Sequence, residues 1–549
     1  MLERIIIDNY RLIKHADFEV NLDMNIFVGD NDSGKSTLLE AIAILTSGKL
    51  NGYAFERQLK TNMFNSGTRN AFRAWIENPI EKMKLPSIIL EAYWVDDTAT
   101  APFKGTNNYL TQNCAGIRID VAFNEEYEPL LKQMLEKKEV YDIPIEFYSV
   151  KYRYFNGEPV LFRFCPARAI VIDTTRKDYS NVVNRFISDS ITDYLDQQDR
   201  IDLSTAYRKS RNDFHTNPHV EKLNSNIRDN VHVGSRILSI DLKEEEVDEW
   251  KRQMSVIVDD TPFENIGFGS QNTIKIELAI KNSEEQANIV LMEEPENNLS
   301  YTNMEKLIQR ILESIGKQIF ISTHNSYVAN KLNLSKLLLV RAGDVSSFGN
   351  LEEETIAYFR KLPGYDTLRL VLAEKVILVE GPTDDLLLQR AYIDKHKKLP
   401  IMDGIDIITV NALAFKRYCD IALLMKKPLS VFTDNDGCIA SNIMEKYKEY
   451  MDKDGLCFFY EDNEELRTIE LSVLNTNLNN DEPTTSFKNA ISKNGSMMNK
   501  SKDEILSFML NNKPEWAFRV FDSEEEIQYP GCVCNVINQY NQNECSGVR

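Results

Sequence analysis

Hydrophobic positions along this chain fall into short buried runs and period-two alternations, with stretches of helical periodicity between them. Near the start, residues 4–10 (RIIIDNY) and 15–20 (HADFEV) alternate and predict two strands of a hairpin. The run MNIFV that follows predicts a buried strand, and STLLEAIAIL after it an apolar helix. Residues 87–95 (SIILEAYWV) and 115–123 (AGIRIDVAF) read as further strands, and residues 143–164 as a hairpin turning at NGEP. From about residue 181 to 260 the pattern becomes helical and charged, which predicts a helical insertion; the acids Glu244 to Glu246 read as its solvated face. Apolar strand patterns resume at 288–292 (NIVLM) and 318–322 (QIFIS).

The last third reads as strand, helix, strand, helix, strand. Residues 376–379 (VILV) form a buried run that delivers Glu380 at its carboxyl end, with a turn at Gly381 and a helix carrying Asp384 and Asp385. IDIITV (405–410), a helix over about 415–426 and LSVFTDNDG (429–437) complete a doubly wound αβ unit, which gathers strand ends and ligands on one rim. Residues two apart on an extended strand point the same way, so Asp434 and Asp436 are expected to face Glu380 from a neighbouring parallel strand. Acids so gathered suit magnesium.

A chain of 549 residues exceeds one core and predicts two or three domains. No apolar run of about 18 residues occurs, and MLERIIIDNY lacks the shape of a signal peptide, so the expectation is a cytoplasmic protein without membrane contact. The net charge of −20 excludes a globally basic nucleic-acid coat. A nucleic-acid substrate must then meet a local basic groove or bridging cations. The eight cysteines have no zinc-knuckle spacing and read as reduced and incidental.

Between the first buried strand and the apolar helix lies GxxxxGKS, Gly29 to Ser36. In that context loop amides cradle phosphates, Lys35 reaches the β and γ phosphates, and Ser36 binds magnesium, so ATP is the expected ligand. Gln58 reads as a surface residue. NIVLMEEPE ends a strand in Glu293 and Glu294, a Walker B arrangement in which the first acid steadies magnesium and Glu294 polarises the attacking water. Gly267, Gly269 and Gln271, ahead of a helix, resemble the signature loop with which ABC-type ATPases contact the γ-phosphate held by a partner subunit, and His324 stands where such ATPases keep a switch histidine.

Glu380-Gly381 followed by DxD resembles a Toprim domain, and the whole order resembles the OLD (overcoming lysogenization defect) nucleases, relatives of Gabija nuclease subunits and of retron-associated effectors. The resemblance rests on Gly29–Thr37, Gly267–Gln271, Ile289–Leu299, Ser322–His324, Val376–Asp385 and Thr433–Gly437. It implies an α/β chain: an ABC-type P-loop ATPase in two parts (1–178 and 256–368), a helical insertion (179–255) that serves dimerisation, and a Rossmann-like Toprim domain (369–549). Gly29, Asn31, Gly34, Lys35, Ser36, Thr37, Gly269, Gln271, Glu293 and His324 would bind nucleotide. Glu380, Asp384, Asp434, Asp436 and Glu470 would hold two divalent ions, Mg2+ or Mn2+, about 4 Å apart. Asp385 would help from behind, and Lys513 would stabilise the transition-state phosphate. Glu293 departs from the usual aspartate, and NNLS after EEPE departs from the His-rich continuation of the family. The implied activity is ATP-gated, metal-dependent DNA cleavage in anti-phage defence, by a homodimer or a dimer-based higher oligomer. The implied partner is a UvrD-like helicase or a retron reverse transcriptase with its RNA–DNA product. The rival readings are an SMC/RecF-like DNA-binding ATPase with a scaffold Toprim domain, and a Toprim RNase toxin.

Overall fold

A computed structural model describes residues 1–77, 85–173, 196–230, 238–240, 256–286, 288–313, 316–341, 343–347, 352–361, 366–410 and 414–540. The chain packs as two compact units. One comprises Met1–Asn25, Ser33–Thr323 and Ala342–Asp344, the other Ile26–Asp32, His324–Arg341 and Val345–Arg549.

In the first unit the opening alternation forms the hairpin it predicts, β1 (Leu2–Tyr10) against β2 (Ile13–Glu19), with Ile6 opposite Asp17. The chain continues through β3 (Met24–Val28), buried at every position, into a loop and then α1 (Lys35–Ser47). β4 (Ile88–Trp94), β5 (Cys114–Phe123) and β6 (Tyr148–Tyr154) extend the hairpin into an antiparallel sheet ordered β2-β1-β4-β5-β6. The hairpin expected over 143–164 forms by half. β6 pairs with β5, while the returning arm makes one bridge, Arg153 with Pro159, and then coils as a short 3-10 turn over Phe162–Phe164. Two backbone hydrogen bonds flank that bridge, Tyr154 N to Glu158 O (2.9 Å) and Val160 N to Tyr152 O (3.2 Å).

β7 (Ala169–Asp173) starts a parallel run. Within the expected insertion the described residues form α2 (Gln197–His215) and α3 (Pro218–Asn230). Asp196 caps α2 by accepting from the Asp199 amide, and the Asn224 side chain exchanges two hydrogen bonds with the backbone of Ile240. The rest of the insertion, including the helix expected at 182–195 and the acids 244–246, lies outside the described residues. α4 (Phe268–Gln286), β8 (Ile289–Glu293), α5 (Tyr301–Glu313) and β9 (Gln318–Ser322) follow; β7, β8 and β9 run parallel with Ala169 beside Ile289 and Ile289 beside Gln318.

In the second unit α6 (Ser326–Leu332) leads to β10 (Leu337–Arg341), which lies parallel to β3 with Leu339 beside Val28. α7 (Thr367–Leu372) then feeds β11 (Lys375–Val379), α8 (Pro382–His396), β12 (Ile405–Thr409), α9 (Phe415–Leu424), β13 (Leu429–Phe432) and β14 (Leu456–Phe459). These four strands make one parallel sheet ordered β12-β11-β13-β14. The strand order reverses beside β11, the point where doubly wound sheets open a crevice at the strand carboxyl ends. The expected adjacency of the Glu380 and Asp434 strands is therefore present, with Leu378 beside Val431. α10 (Ile469–Thr476), α11 (Lys502–Asn511), α12 (Lys513–Asp522) and α13 (Gly531–Gln539) pack against α8 around Trp516, Val533, Leu387 and Ile505. Among the described residues no helix is long and apolar enough to cross a membrane.

Candidate active site

The nucleotide motif is built by the exit from β3 and the start of α1. Gly34 caps α1 at φ 113, a backbone shape that suits glycine alone, and Lys35 and Thr37 are buried behind it. The Ser36 hydroxyl donates to the Glu293 carboxylate at the end of β8, which joins the serine of the GxxxxGKS loop to the first acid of the EEPE run. Glu294 follows at φ 43; its amide donates to Ser322 O (2.9 Å) and its Oε2 accepts from Asn297 Nδ2 (2.8 Å). The second acid is thus clamped by backbone and by a neighbouring amide. Glu296, which the sequence did not single out, is buried and accepts from Thr323 Oγ1 at 2.5 Å. Its signal was present in the EEPE run, where a third acid follows the two with assigned roles.

Gly267, Gly269 and Gln271 are not wholly ahead of the helix, because α4 already begins at Phe268. A Cβ on Gly269 would lie 2.5 Å from Asn298 O, so a close backbone approach requires this glycine. The Gln271 amide is buried and donates to Glu264 O (3.3 Å) and Ile266 O (3.0 Å), within its own loop. In the second unit Gly29 is buried, Asn31 is exposed, and His324 is exposed just ahead of the Asn325 cap of α6.

The acidic cluster lies at the carboxyl rim of the parallel sheet. Glu380 follows β11 and accepts a hydrogen bond from the hydroxyl of buried Thr433, the residue after β13. Asp384, in the first turn of α8, accepts from the Gly381 amide at 3.1 Å, which fixes the entry to that helix. Asp434 Oδ1 accepts from Ile469 N at the start of α10 (2.9 Å), and the next residue, Glu470, is fully buried.

Among the described residues neither Glu470 oxygen finds a hydrogen-bond donor, and Lys513 Nζ at the start of α12 stands 3.6 Å from Oε1. Buried Glu91 in the first unit shows the ordinary arrangement: it is held by Arg118 at 2.6 Å and by the Tyr93 hydroxyl at 2.7 Å. Arg390 on α8 donates to Val520 O (2.5 Å) and Glu525 O (3.2 Å), which docks the far end of α12 on the helix that carries Asp384.

The electrostatics show which acids share the site. Burial, with Glu380 and Glu470 adding like charge, pushes Asp384 up to about 7, against the Gly381 amide and Lys513. Burial, then Asp384, Glu380 and Glu470, pushes Asp434 up to about 8, again against Lys513. Four carboxyls face one ammonium.

One sequence reading changes. Asp436 does not face the cluster as the continuation of a strand, because β13 ends at Phe432 and Asp436 is exposed at φ 51. Buried Asn435 bends the chain there by donating to Glu461 O (2.7 Å) and Asn463 O (3.0 Å), so the two-residue period no longer applies. Asp385 accepts from Gln389 (2.7 Å) and lies in the field of Arg369 and Asp406.

Among the described residues no three His, Cys, Asp or Glu side chains converge closely enough to enclose an ion. The donor set nevertheless fits a divalent cation. Every donor is a hard carboxylate oxygen, both Glu470 oxygens are without hydrogen bonds among the described residues, and Asp384 and Asp434 are raised by burial and by the neighbouring acids, as in a cluster short of positive charge.

The fold and the site together define a P-loop ATPase joined to a Toprim domain. The chain belongs to the AAA ATPase domain family, which matches residues 1–329, and residues 371–436 match the TOPRIM domain of overcoming lysogenization defect protein-like proteins. It is homologous to Endonuclease GajA of Bacillus cereus (strain HuB5-5), with 21% identity over 510 residues that cover 76% of this chain and 71% of that one. Endonuclease GajA of Bacillus cereus (strain VD045) is 26% identical over 163 residues, 29% of this chain and 28% of the relative. A 48-residue segment is 50% identical to DNA replication and repair protein RecF of Glaesserella parasuis serovar 5 (strain SH0165), covering 9% of this chain and 13% of that protein. Among solved structures, the Smc head domain with an extended coiled coil from Pyrococcus furiosus, bound to the C-terminal domain of ScpA, covers 66% of this chain and 99% of its own. Its sequence identity is 11% and its TM-score 0.35, too loose a similarity for residue-level comparison. The TOPRIM match ends at Asp436, so Glu470 and Lys513 rest on geometry.

Proposed function

We propose that this chain is an ATP-binding, metal-dependent DNA endonuclease of anti-phage defence whose cleavage is gated by an ATPase dimer. The observation that carries the reading is the cluster of Glu380, Asp384, Asp434 and Glu470 facing Lys513 at the switch point of the parallel sheet. The homology to an endonuclease supports the same chemistry.

Glu380, Asp384, Asp434 and Glu470 would hold two divalent cations, Mg2+ or Mn2+, with Asp436 contributing from its exposed turn. Such ions, when bound, supply Lewis-acid stabilisation and an acidified water. The chain's own groups orient the acids. Thr433 holds one oxygen of Glu380, the Gly381 amide holds Asp384, and the Ile469 amide holds Asp434. Lys513 adds positive charge where a phosphodiester gathers negative charge, the kind of fixed electrostatic support that lowers such barriers. In the ATPase, Lys35 and Ser36 bind the phosphates and magnesium, and Glu294, clamped by Asn297, orients water.

The division into ATPase parts at 1–178 and 256–368, an arm at 179–255 and a Toprim domain at 369–549 belongs to this reading, as does dimerisation through the arm. The net charge of −20 favours delivery of the nucleic acid by a partner, a UvrD-like helicase or a reverse transcriptase with its RNA–DNA product.

The test is cleavage of plasmid and single-stranded DNA with Mg2+ or Mn2+, with and without ATP, by wild type, Glu380→Ala and Lys35→Ala. Cleavage by wild type and none by Glu380→Ala is the expected result, with Lys35→Ala losing the response to ATP. ATP hydrolysis without cleavage of any DNA by any of the three would refute the DNA endonuclease reading.

A further inference from the structure

The second unit contains both ends of a possible line of control, the first half of the nucleotide loop and the acidic cluster. Between them lies α7, six residues long and buried at Thr367, Leu368, Leu370 and Val371. Its start is tied to α6, where Thr367 Oγ1 donates to buried Asn330 at 2.5 Å.

Its end is held by two cations, one from β10 and one from the turn before β13. Arg341 Nη2 donates to Val371 O at 2.8 Å, and Lys427 Nζ donates to Leu370 O at 2.6 Å and to Val371 O at 2.7 Å. Both satisfy carbonyls that a helix C-terminus leaves open, where positive charge is favoured. Arg341 ends β10, whose Leu339 pairs with Val28, the last residue before Gly29 of the nucleotide loop. Lys427 stands two residues ahead of β13, the strand that runs into Thr433 and Asp434. α7 itself passes within three residues into β11, which carries Glu380. The two strands that present the acids therefore both start at this junction.

Lys427 is almost fully buried, 6% exposed, an unusual position for an ammonium. Burial and the neighbouring charge of Arg341 lower its proton affinity to about 7, while Asp30 of the nucleotide loop is the first of the acids that oppose them. A triphosphate bound at that loop would add charge beside Asp30 and so change the field in which Lys427 is balanced. This differential interaction is what lets a ligand shift an equilibrium between two arrangements.

We propose that the C-terminus of α7, gripped by Arg341 and Lys427, is the coupling through which nucleotide adjusts the spacing of the Glu380 and Asp434 strands. Lys427 acts as a positioning residue. The inference rests on the nuclease reading above and supplies its regulation.

The test is amide hydrogen exchange of the full chain with and without ATP, for wild type and Lys427→Met, alongside cleavage rates under the same conditions. In wild type, ATP should slow exchange of the α7 and β13 amides about fivefold or more, the size of an ordinary allosteric coupling. In Lys427→Met the change should stay within the nucleotide loop and β3, and the ratio of cleavage rates with and without ATP should fall to about 1, with ATP still bound. Exchange changes confined to the loop and β3 in wild type would overturn the inference without any variant. So would a wild-type ATP response in folded Lys427→Met. Propagation to β13 in a protein that cuts no DNA would instead support the coupling and sink the nuclease reading.

Discussion

Replacing one acid of the cluster by its amide should stabilise the metal-free protein while abolishing its cleavage. Asp434 is lifted from 3.8 to about 8 by burial and by Asp384, Glu380 and Glu470. Between those values the folded state keeps a proton that the unfolded chain releases, so stability falls as pH rises through this window. The slope for one carboxyl is about 1.4 kcal/mol per pH unit, and the loss from pH 5 to pH 7 is about 3 kcal/mol. Asparagine keeps the shape, and its Oδ1 still accepts from the Ile469 amide, but it carries no charge that burial penalises. The advantage of Asp434→Asn over wild type should therefore grow by about 3 kcal/mol across that range, a widening in Tm of roughly 6–12 °C for a unit of this size. Scanning calorimetry in EDTA at pH 5, 6 and 7 measures it. Adding Mn2+ should close the gap from the wild-type side, because a ligand that binds the folded state raises its stability. A difference in Tm that does not change with pH would refute the electrostatic account of the site.

Lys513→Met removes the charge that holds Asp384 and Asp434 down, so the acid limb of the cleavage pH profile should move to higher pH; an unmoved profile would place Lys513 outside the cluster. Gly269→Ala puts a Cβ 2.5 Å from the Asn298 carbonyl and should cost about 1–3 kcal/mol, read as a lower Tm of the ATPase transition. Asn297→Ala frees Glu294 Oε2 and should slow ATP hydrolysis while leaving ATP affinity within about twofold, since the amide touches the water-orienting acid and not the phosphate cradle.

The parts of the site that were legible in the sequence are those written in local pattern. Glu380 and Asp434 could be paired because a parallel crossover brings successive strands of such a unit to one rim, and β11 and β13 are indeed adjacent. Glu470 stood out as an acid in an apolar segment, and it is fully buried. Asp436 does not continue the strand, because the period of two holds only while the chain stays extended, and Asn435 turns it. Thr433, Arg390 and Lys427 carried no local signal at all. Their partners are 53, 130 and 57 residues distant, and only the folded chain reveals that the hydroxyl meets Glu380 while the guanidinium and the ammonium bind the backbone carbonyls of Val520 and Leu370.

That contrast bears on what the cluster is for. A buried acid kept for stability alone acquires partners, as Glu91 does with Arg118, Tyr93 and the Tyr109 amide. The acids at the sheet rim are held by single donors, and Glu470 by none, although backbone amides and hydroxyls lie throughout the unit. Carboxylates that are positioned yet left short of positive charge destabilise the fold that contains them, and such destabilisation persists where a ligand relieves it. The cost to the empty protein and the affinity for a cation are then the same electrostatic quantity seen from two sides. Any change that eases the first, whether Asp434→Asn or a proton at low pH, must weaken the second.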